Sequence, residues 1–227
     1  MQHMNRLGLV WIMAVMFLLV SCSSDKTTVP EDKCPGRTTP ENLILTLACA
    51  YHARDIDAYA DLLHEDFIFE FIPDIADSLG LPPDSPWWGR TADVAATKAL
   101  FEDSTVTGIS FSYEIIGDWF ACEDVRADTT FTGLCCRLDP LIEVLVQSAG
   151  VDTIFSVNES WLDITLAYES YTEGLWVMLR MEEHMKQTLA CSPLTTFATR
   201  PSSLSGIKAL WAPTRPALPF RSGRWLP

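Results

Sequence analysis

Positive charge is scarce in this chain. Its 227 residues carry 16 Lys and Arg against 30 Asp and Glu, a net charge of −14, and residues 192–227 contribute no acid at all. The part before them is therefore more acidic than the total. Such a surface repels nucleic acid and anionic headgroups, which excludes nucleic-acid binding. Recognisable chemistry is equally thin. No Cys-x-x-Cys pair is present, so neither a zinc ribbon nor a thioredoxin-type redox site has support. There is no Gly-rich phosphate loop and no Ser–His–Asp order with a supporting context. "HEDF" (His64–Phe67) does not continue to a second histidine, so it is no zinc-protease motif. "DIDAYAD" (Asp55–Asp61) lacks the turn glycine and distal glutamate of a calcium loop. No metal site and no cofactor are implied.

What is present begins with an apolar run. Arg6 precedes Leu7–Val20, "LGLVWIMAVMFLLV", too short for a typical membrane span but suited to a signal-peptide core. The "LVSC" that follows, Leu19–Cys22, resembles the lipobox of bacterial lipoprotein precursors. That resemblance implies a signal peptide over 1–21, cleavage before Cys22 and lipidation of its thiol. With Ser23 rather than Asp after the cysteine, it also implies a lipid-anchored protein of the cell envelope, sorted to the outer membrane and facing the periplasm. Residues 22–40 are polar, with Pro30, Pro35 and Gly36, and read as a flexible tether. Residues 41–211 are long and apolar enough for one buried core. The tail 212–227, "APTRPALPFRSGRWLP", is rich in proline and arginine and is expected to lie outside the fold.

Apart from Cys22, six cysteines remain, and an oxidising compartment permits disulfides among them. Cys122 with Cys135 or Cys136 is the expected local bridge, flanking the polar excursion "EDVRADTTFTGL". Cys49 lies on an apolar helix face and is expected to be a buried thiol.

Glu41–Ala53 carries Leu43, Leu47 and Ala50 at helical spacing, with Ile44 and Tyr51 beside them. Asp55 fits the N-cap of a second short helix, Asp57–Leu63. Phe67, Phe69 and Phe71 then alternate as a strand that Pro73 closes. After the proline-stiffened Leu81–Trp88, Thr91 is a candidate cap for a third helix, Ala92–Phe101. Four strand-like runs follow: Ile109–Ile116, Leu141–Gln147, Trp161–Tyr168 and Leu175–His184. Helices first and antiparallel strands afterwards predict an α+β fold, with helices on one face of a curved sheet.

Several motifs in this order resemble the nuclear transport factor 2-like superfamily, which includes SnoaL-like proteins and ketosteroid isomerase. They are "ARDIDAYADLLHEDFIFEF" (Ala53–Phe71), "WWGR" before a helix, "WVMLRMEE" as a closing strand and "SLSGIKALW" (Ser203–Trp211) as a short terminal helix. The resemblance implies a cone-shaped fold, N-terminal helices packed on a curved, mainly antiparallel sheet. It also places Leu47 and Phe71 where ketosteroid isomerase carries its helix tyrosine and general base. Neither side chain moves a proton.

Tyr51, one turn beyond Leu47, and Glu70, beside Phe71, remain as catalytic candidates. Strand parity points Glu70 away from the cone if Phe71 faces into it, unless a bulge resets the alternation. His52 and His64 read as helix-end residues and His184 as an exposed rim position. Glu114, Glu143, Asp163 and Arg180 interrupt apolar strands. They form either surface ion pairs or, lining the cone, a polar site in which Arg180 grips a carboxylate. Trp87 and Trp88 are either an exposed binding lip or a plug for the open end.

The preferred reading is thus a noncatalytic, membrane-anchored domain that binds a small apolar ligand, a peptide or a partner protein. Leu47, Tyr51, Phe71, Trp87, Trp88 and Arg180 are its candidate ligand-binding residues. The exposed sheet face is a candidate homodimer surface, made less adhesive by Glu143, Asp163 and Arg180. The alternative is a SnoaL-like isomerase, cyclase or dehydratase using Tyr51 with Glu70 or another pocket acid. A sealed, wholly apolar cone excludes the enzyme; two or more titratable groups converging at its floor weaken the binding-only reading.

Overall fold

The computed structural model describes residues 34–126, 129–148, 150–169, 174–186 and 203–212. The signal segment, Cys22, most of the tether, Cys191 and the tail beyond Ala212 lie outside the described residues.

The first element among the described residues is α1 (Pro40–Ala53). Thr39 caps it by accepting from the Asn42 N–H at 3.1 Å, and Pro40 starts it, where a missing N–H costs nothing. Arg54 ends α1 in the left-handed region at φ 56°. Its guanidinium donates to the carbonyls of Phe101, Asp103 and Val106, tying the α1 terminus to the next layer. Asp55 caps α2 (Ile56–Asp61), accepting from the Ala58 N–H at 2.9 Å, so the acids of the "ARDID" turn are helix punctuation. Next come β1 (Leu63–Glu70), α3 (Pro73–Ser78), β2 (Trp87–Gly89) and α4 (Arg90–Glu102). Gly89, not Thr91, stands at the N-cap of α4.

Five strands follow: β3 (Val106–Arg126), β4 (Thr129–Ser148), β5 (Val151–Val157), β6 (Ser160–Glu169) and β7 (Leu175–Met185). A short helix, α5 (Leu204–Leu210), comes last among the described residues. The sheet order is β2-β1-β7-β6-β4-β3, with β5 also paired to β4. Only β1 and β7 run parallel; the other pairs are antiparallel. β4 pairs with β6 over Leu134–Leu138 and with β5 over Ile142–Ser148. Pro140 sits at the changeover, where its missing N–H forfeits no bond to either neighbour.

Curvature comes from irregular register. Four steps of β3, Ile116 to Phe120, oppose two of β4, and Gly117 takes φ 77° there. β7 carries an extra residue between Met178 and Arg180, so Met178 and Met181 both face inward. The core lies between the helices and the concave face. Leu43, Leu47 and Tyr51 of α1 meet Phe67, Phe69, Phe111, Ile142, Ile164 and Met178 there, all buried. Each such side chain contributes about 1.5–3 kcal/mol of burial.

Three expectations need correction. Cys49 is not a free thiol: it is bridged to Cys34. The tether is correspondingly shorter, because Gly36 O accepts from Thr46 Oγ1 and Arg37 O accepts from the Trp176 N–H. The polar excursion after Cys122 is part of the sheet: it continues the β3–β4 hairpin, with Cys122 bridged to Cys135.

Candidate functional site

The two positions singled out by the resemblance are filled by packing. Leu47 is 0 % and Phe71 3 % exposed. Trp88 packs edge-on against Phe71 at 4.6 Å, while Trp87 next to it is exposed. Tyr51 is buried among edge-on rings of Tyr59, Phe101 and Phe111 at 5.3–5.6 Å.

Beneath these rings lies a buried ionic cluster. Lys208 of α5 points its ammonium inward, 2.6 Å from Asp93 Oδ1 and 3.1 Å from both Tyr59 Oη and Thr97 Oγ1. Its three N–H donors are thereby all used. Tyr59 donates to the other Asp93 oxygen at 2.5 Å. The ammonium also lies 4.9 Å from the Phe69 ring centre and 5.3 Å from that of Tyr59. Lys208, Asp93, Tyr59 and Thr97 are at most 2 % exposed.

Burial pulls the Lys208 ammonium down, but the Asp93 charge and coupling to Tyr51 outweigh it and hold the group raised. Burial raises Tyr51. Burial and then the Asp93 charge push Tyr59 well up. The site pairs the Lys208 ammonium with the Asp93 carboxylate and places the two tyrosine hydroxyls beside them.

α5 is held by two further acids. Glu183 of β7, 3 % exposed, accepts from the backbone N–H groups of Leu204 and Ser205 and from Ser160 Oγ, all at 2.6 Å. Beyond the helix, the Trp211 indole N–H donates to Asp103 Oδ2 at 2.8 Å. Burial raises the Asp103 carboxyl, yet hydrogen bonds from Thr105 and Trp211 leave it net lowered.

The remaining candidates sit on the opposite face of the sheet. The alternation Phe67–Phe69–Phe71 is unbroken, so Glu70 points outward and pairs with Arg180. Arg180 also meets Glu182 at 2.9 Å. His184 lies 3.2 Å from both Glu182 and Asp163, and Asp163 takes two bonds of 2.6 Å from Arg137. Arg180 and Asp163 are thus members of an outer ion-pair ladder and do not line the cone. Glu114 and Glu143 are exposed on the same sheet. Beside the ladder, Arg137, Trp161, His184, Met185 and Lys186 line a groove of about 540 Å³. His52 ends α1 as expected, whereas His64 belongs to β1 and accepts from the Asp66 N–H.

Sequence reading missed Asp93, Thr97, Tyr59 and Lys208 as a set. A signal existed. Asp93 and Thr97 occupy the same helical stripe as Ala96, Leu100 and Phe101, and Lys208 that of Leu204, Ile207 and Trp211. Opposite charges on two apolar stripes were the clue that these helices meet.

No family model matches the chain, and no curated protein matches it. Among solved structures, it is similar to a nuclear transport factor 2-like superfamily protein from Salmonella enterica serovar Typhimurium, with 8 % identity over 67 % of this chain and 92 % of that one, TM-score 0.43. ActVI-ORFA from Streptomyces coelicolor aligns with 12 % identity over 65 % and 95 % of the two chains, TM-score 0.40. A conserved protein from Planctomyces limnophilus aligns with 15 % identity over 63 % and 89 %, TM-score 0.43. These levels of likeness carry no activity across. The order of elements observed here, helices first over a curved, mainly antiparallel sheet, is the α+β order that the sequence motifs imply.

Proposed function

We propose that this protein is a noncatalytic envelope lipoprotein whose cone is closed and whose outer surface engages a peptide or partner protein. The observation that carries the reading is the filled interior. Leu47, Tyr51 and Phe71 are buried, and the polar groups that converge there are spent on one another and on Lys208. A small apolar ligand in the cone would have to displace packed rings. The exposed surface offers the Arg137–Trp161–His184–Lys186 groove and the Trp87 lip instead. Anchoring through Cys22 is supported by the lipobox-like "LVSC" and by two disulfides that suit an oxidising compartment.

Native mass spectrometry of the detergent-extracted protein tests the binding reading. A co-purifying peptide or protein is the expected result; an apolar small molecule bound within the domain overturns it. Labelling cells with palmitate tests the anchor. Label is expected on the natural protein and absent from Cys22→Ser.

The convergence of Tyr51, Tyr59 and Asp93 favours a second reading, a SnoaL-like isomerase, cyclase or dehydratase. That chemistry needs α5 to withdraw. Hydrogen exchange over Leu204–Leu210 separates the two: protection comparable with β6 supports the closed domain, and exchange as fast as in a free peptide supports the enzyme.

A further inference from the structure

We propose that the floor of the cone is a binding site for a primary alkylammonium ion and that Lys208 occupies it in cis as a tethered ligand. The walls and the occupant come from separate parts of the chain. Asp93 and Thr97 belong to α4, Tyr59 to α2 and Phe69 to β1, all within the first 102 residues, whereas Lys208 arrives from α5 at the far end. The walls match the three donors and the charge of an ammonium. A carboxylate oxygen at 2.6 Å supplies the counter-charge, two hydroxyl oxygens at 3.1 Å accept the other protons, and two aromatic faces cover the remaining sides. A guanidinium is planar and a quaternary ammonium has no N–H, so neither reproduces this set.

The order of stability between filled and empty follows from the same contacts. With Lys208 absent, Asp93 would keep one hydrogen bond, from Tyr59, and face a dry, aromatic-lined hole with its charge uncompensated. A hole of that kind selects for an amine carried on an alkyl chain, because the apolar stem of Lys208 is itself buried. The site is therefore distinct from the outer groove, and its test does not depend on the partner proposed for that surface.

The experiment uses the full chain carrying Lys208→Ala, with thermal unfolding followed as n-butylammonium chloride is added at neutral pH. The midpoint is expected to rise saturably, by about 5–10 °C once the site is well filled. Natural protein should not respond, n-butanol should be much weaker, and Asp93→Asn added to Lys208→Ala should abolish the response. Equal effects of butanol and butylammonium, or an equal response of natural protein, overturn the proposal. If Lys208→Ala does not fold alone, it is refolded with and without butylammonium: recovery of native circular dichroism is expected, and no recovery overturns the idea. Nα-acetyl-lysinamide forms a second arm. A response to butylammonium alone identifies a free amine as the ligand, a response to both admits a lysine side chain on a peptide, and a response to neither sinks the proposal.

Discussion

Lys208 and Asp93 form an ion pair at 2.6 Å with side chains 1 % and 0 % exposed, and at this scale the sign of each substitution is set by what is left behind. Lys208→Met keeps the stem and removes the charge, leaving a buried carboxylate uncompensated. A loss of about 3–5 kcal/mol is expected in urea unfolding. Adding Asp93→Leu should recover a large part of it, since both charges are then gone; a double variant as unstable as the sum of the singles would show that the pair is not coupled. The same residues set the alkaline limit. Lys208, Tyr51 and Tyr59 all have raised folded-state values, so their contribution is complete below the ordinary values of 10.5 and 10.0 and is lost as pH climbs through the folded ones. Stability measured against pH should fall from about pH 10 upward, and more steeply in the natural protein than in the Lys208→Met, Asp93→Leu variant. The charged positions on the two apolar stripes were legible in the sequence, but their pairing was not, because pattern reading taken one helix at a time assigns a lone lysine to solvent. The burial of Lys208 depends on a helix more than a hundred residues away.

Elements were legible where the alternation was strong and long. Phe67 and Phe69 of β1, with Phe71 just beyond it, the stripe of α1 and the Asp55 cap of α2 follow from spacing and capping chemistry. The short elements were not. α3 has only six residues, and β5 exposes Val151 and Ile154, so neither carries a clean stripe. β3 and β4 outran their apolar segments because hairpin pairing continues past them, out to Arg126 and Thr129. α5 is too short to persist alone and is held by contacts at both ends. Glu183 serves as its N-terminal acceptor alongside Ser203 Oγ, which accepts from the Gly206 N–H at 3.0 Å. Glu183→Gln keeps one acceptor oxygen and loses the other, so a cost of about 1–2 kcal/mol is expected, with faster hydrogen exchange confined to α5. Ser205 behaves differently. Its hydroxyl is buried with no hydrogen-bond partner among the described residues, so Ser205→Ala should be neutral or stabilising by up to about 1 kcal/mol in the same measurement. A marked destabilisation would mean that the hydroxyl has a partner, such as a buried water.

For the whole molecule, the disulfides tie the ends of elements into the fold. Cys34–Cys49 fastens the entry segment to α1, and Cys122–Cys135 clamps the β3–β4 hairpin just past its bulge. The first contradicts the expectation of a buried thiol, because an apolar helix face was visible in sequence but the return of residues 34–37 onto it was not. Cys136, next to a bridged cysteine, has opposite strand parity and points into the core, where burial, then the charges of Asp163 and Glu41, push its thiol up to about 12. A thiol of that kind neither exchanges with its neighbour nor reacts from the folded state. Alkylation of the native protein should therefore leave Cys136 unmodified, and the four bridged cysteines should become reactive only after reduction. Closing loops of 15 and 13 residues is worth about 3 kcal/mol each, so reduction should lower the thermal midpoint by about 10–20 °C. Single Cys→Ser pairs at each bridge should divide that loss. A reduced protein that melts where the oxidised one does would mean that the core alone sets the stability of the domain, and that the bridges serve only to fix its entry segment and hairpin.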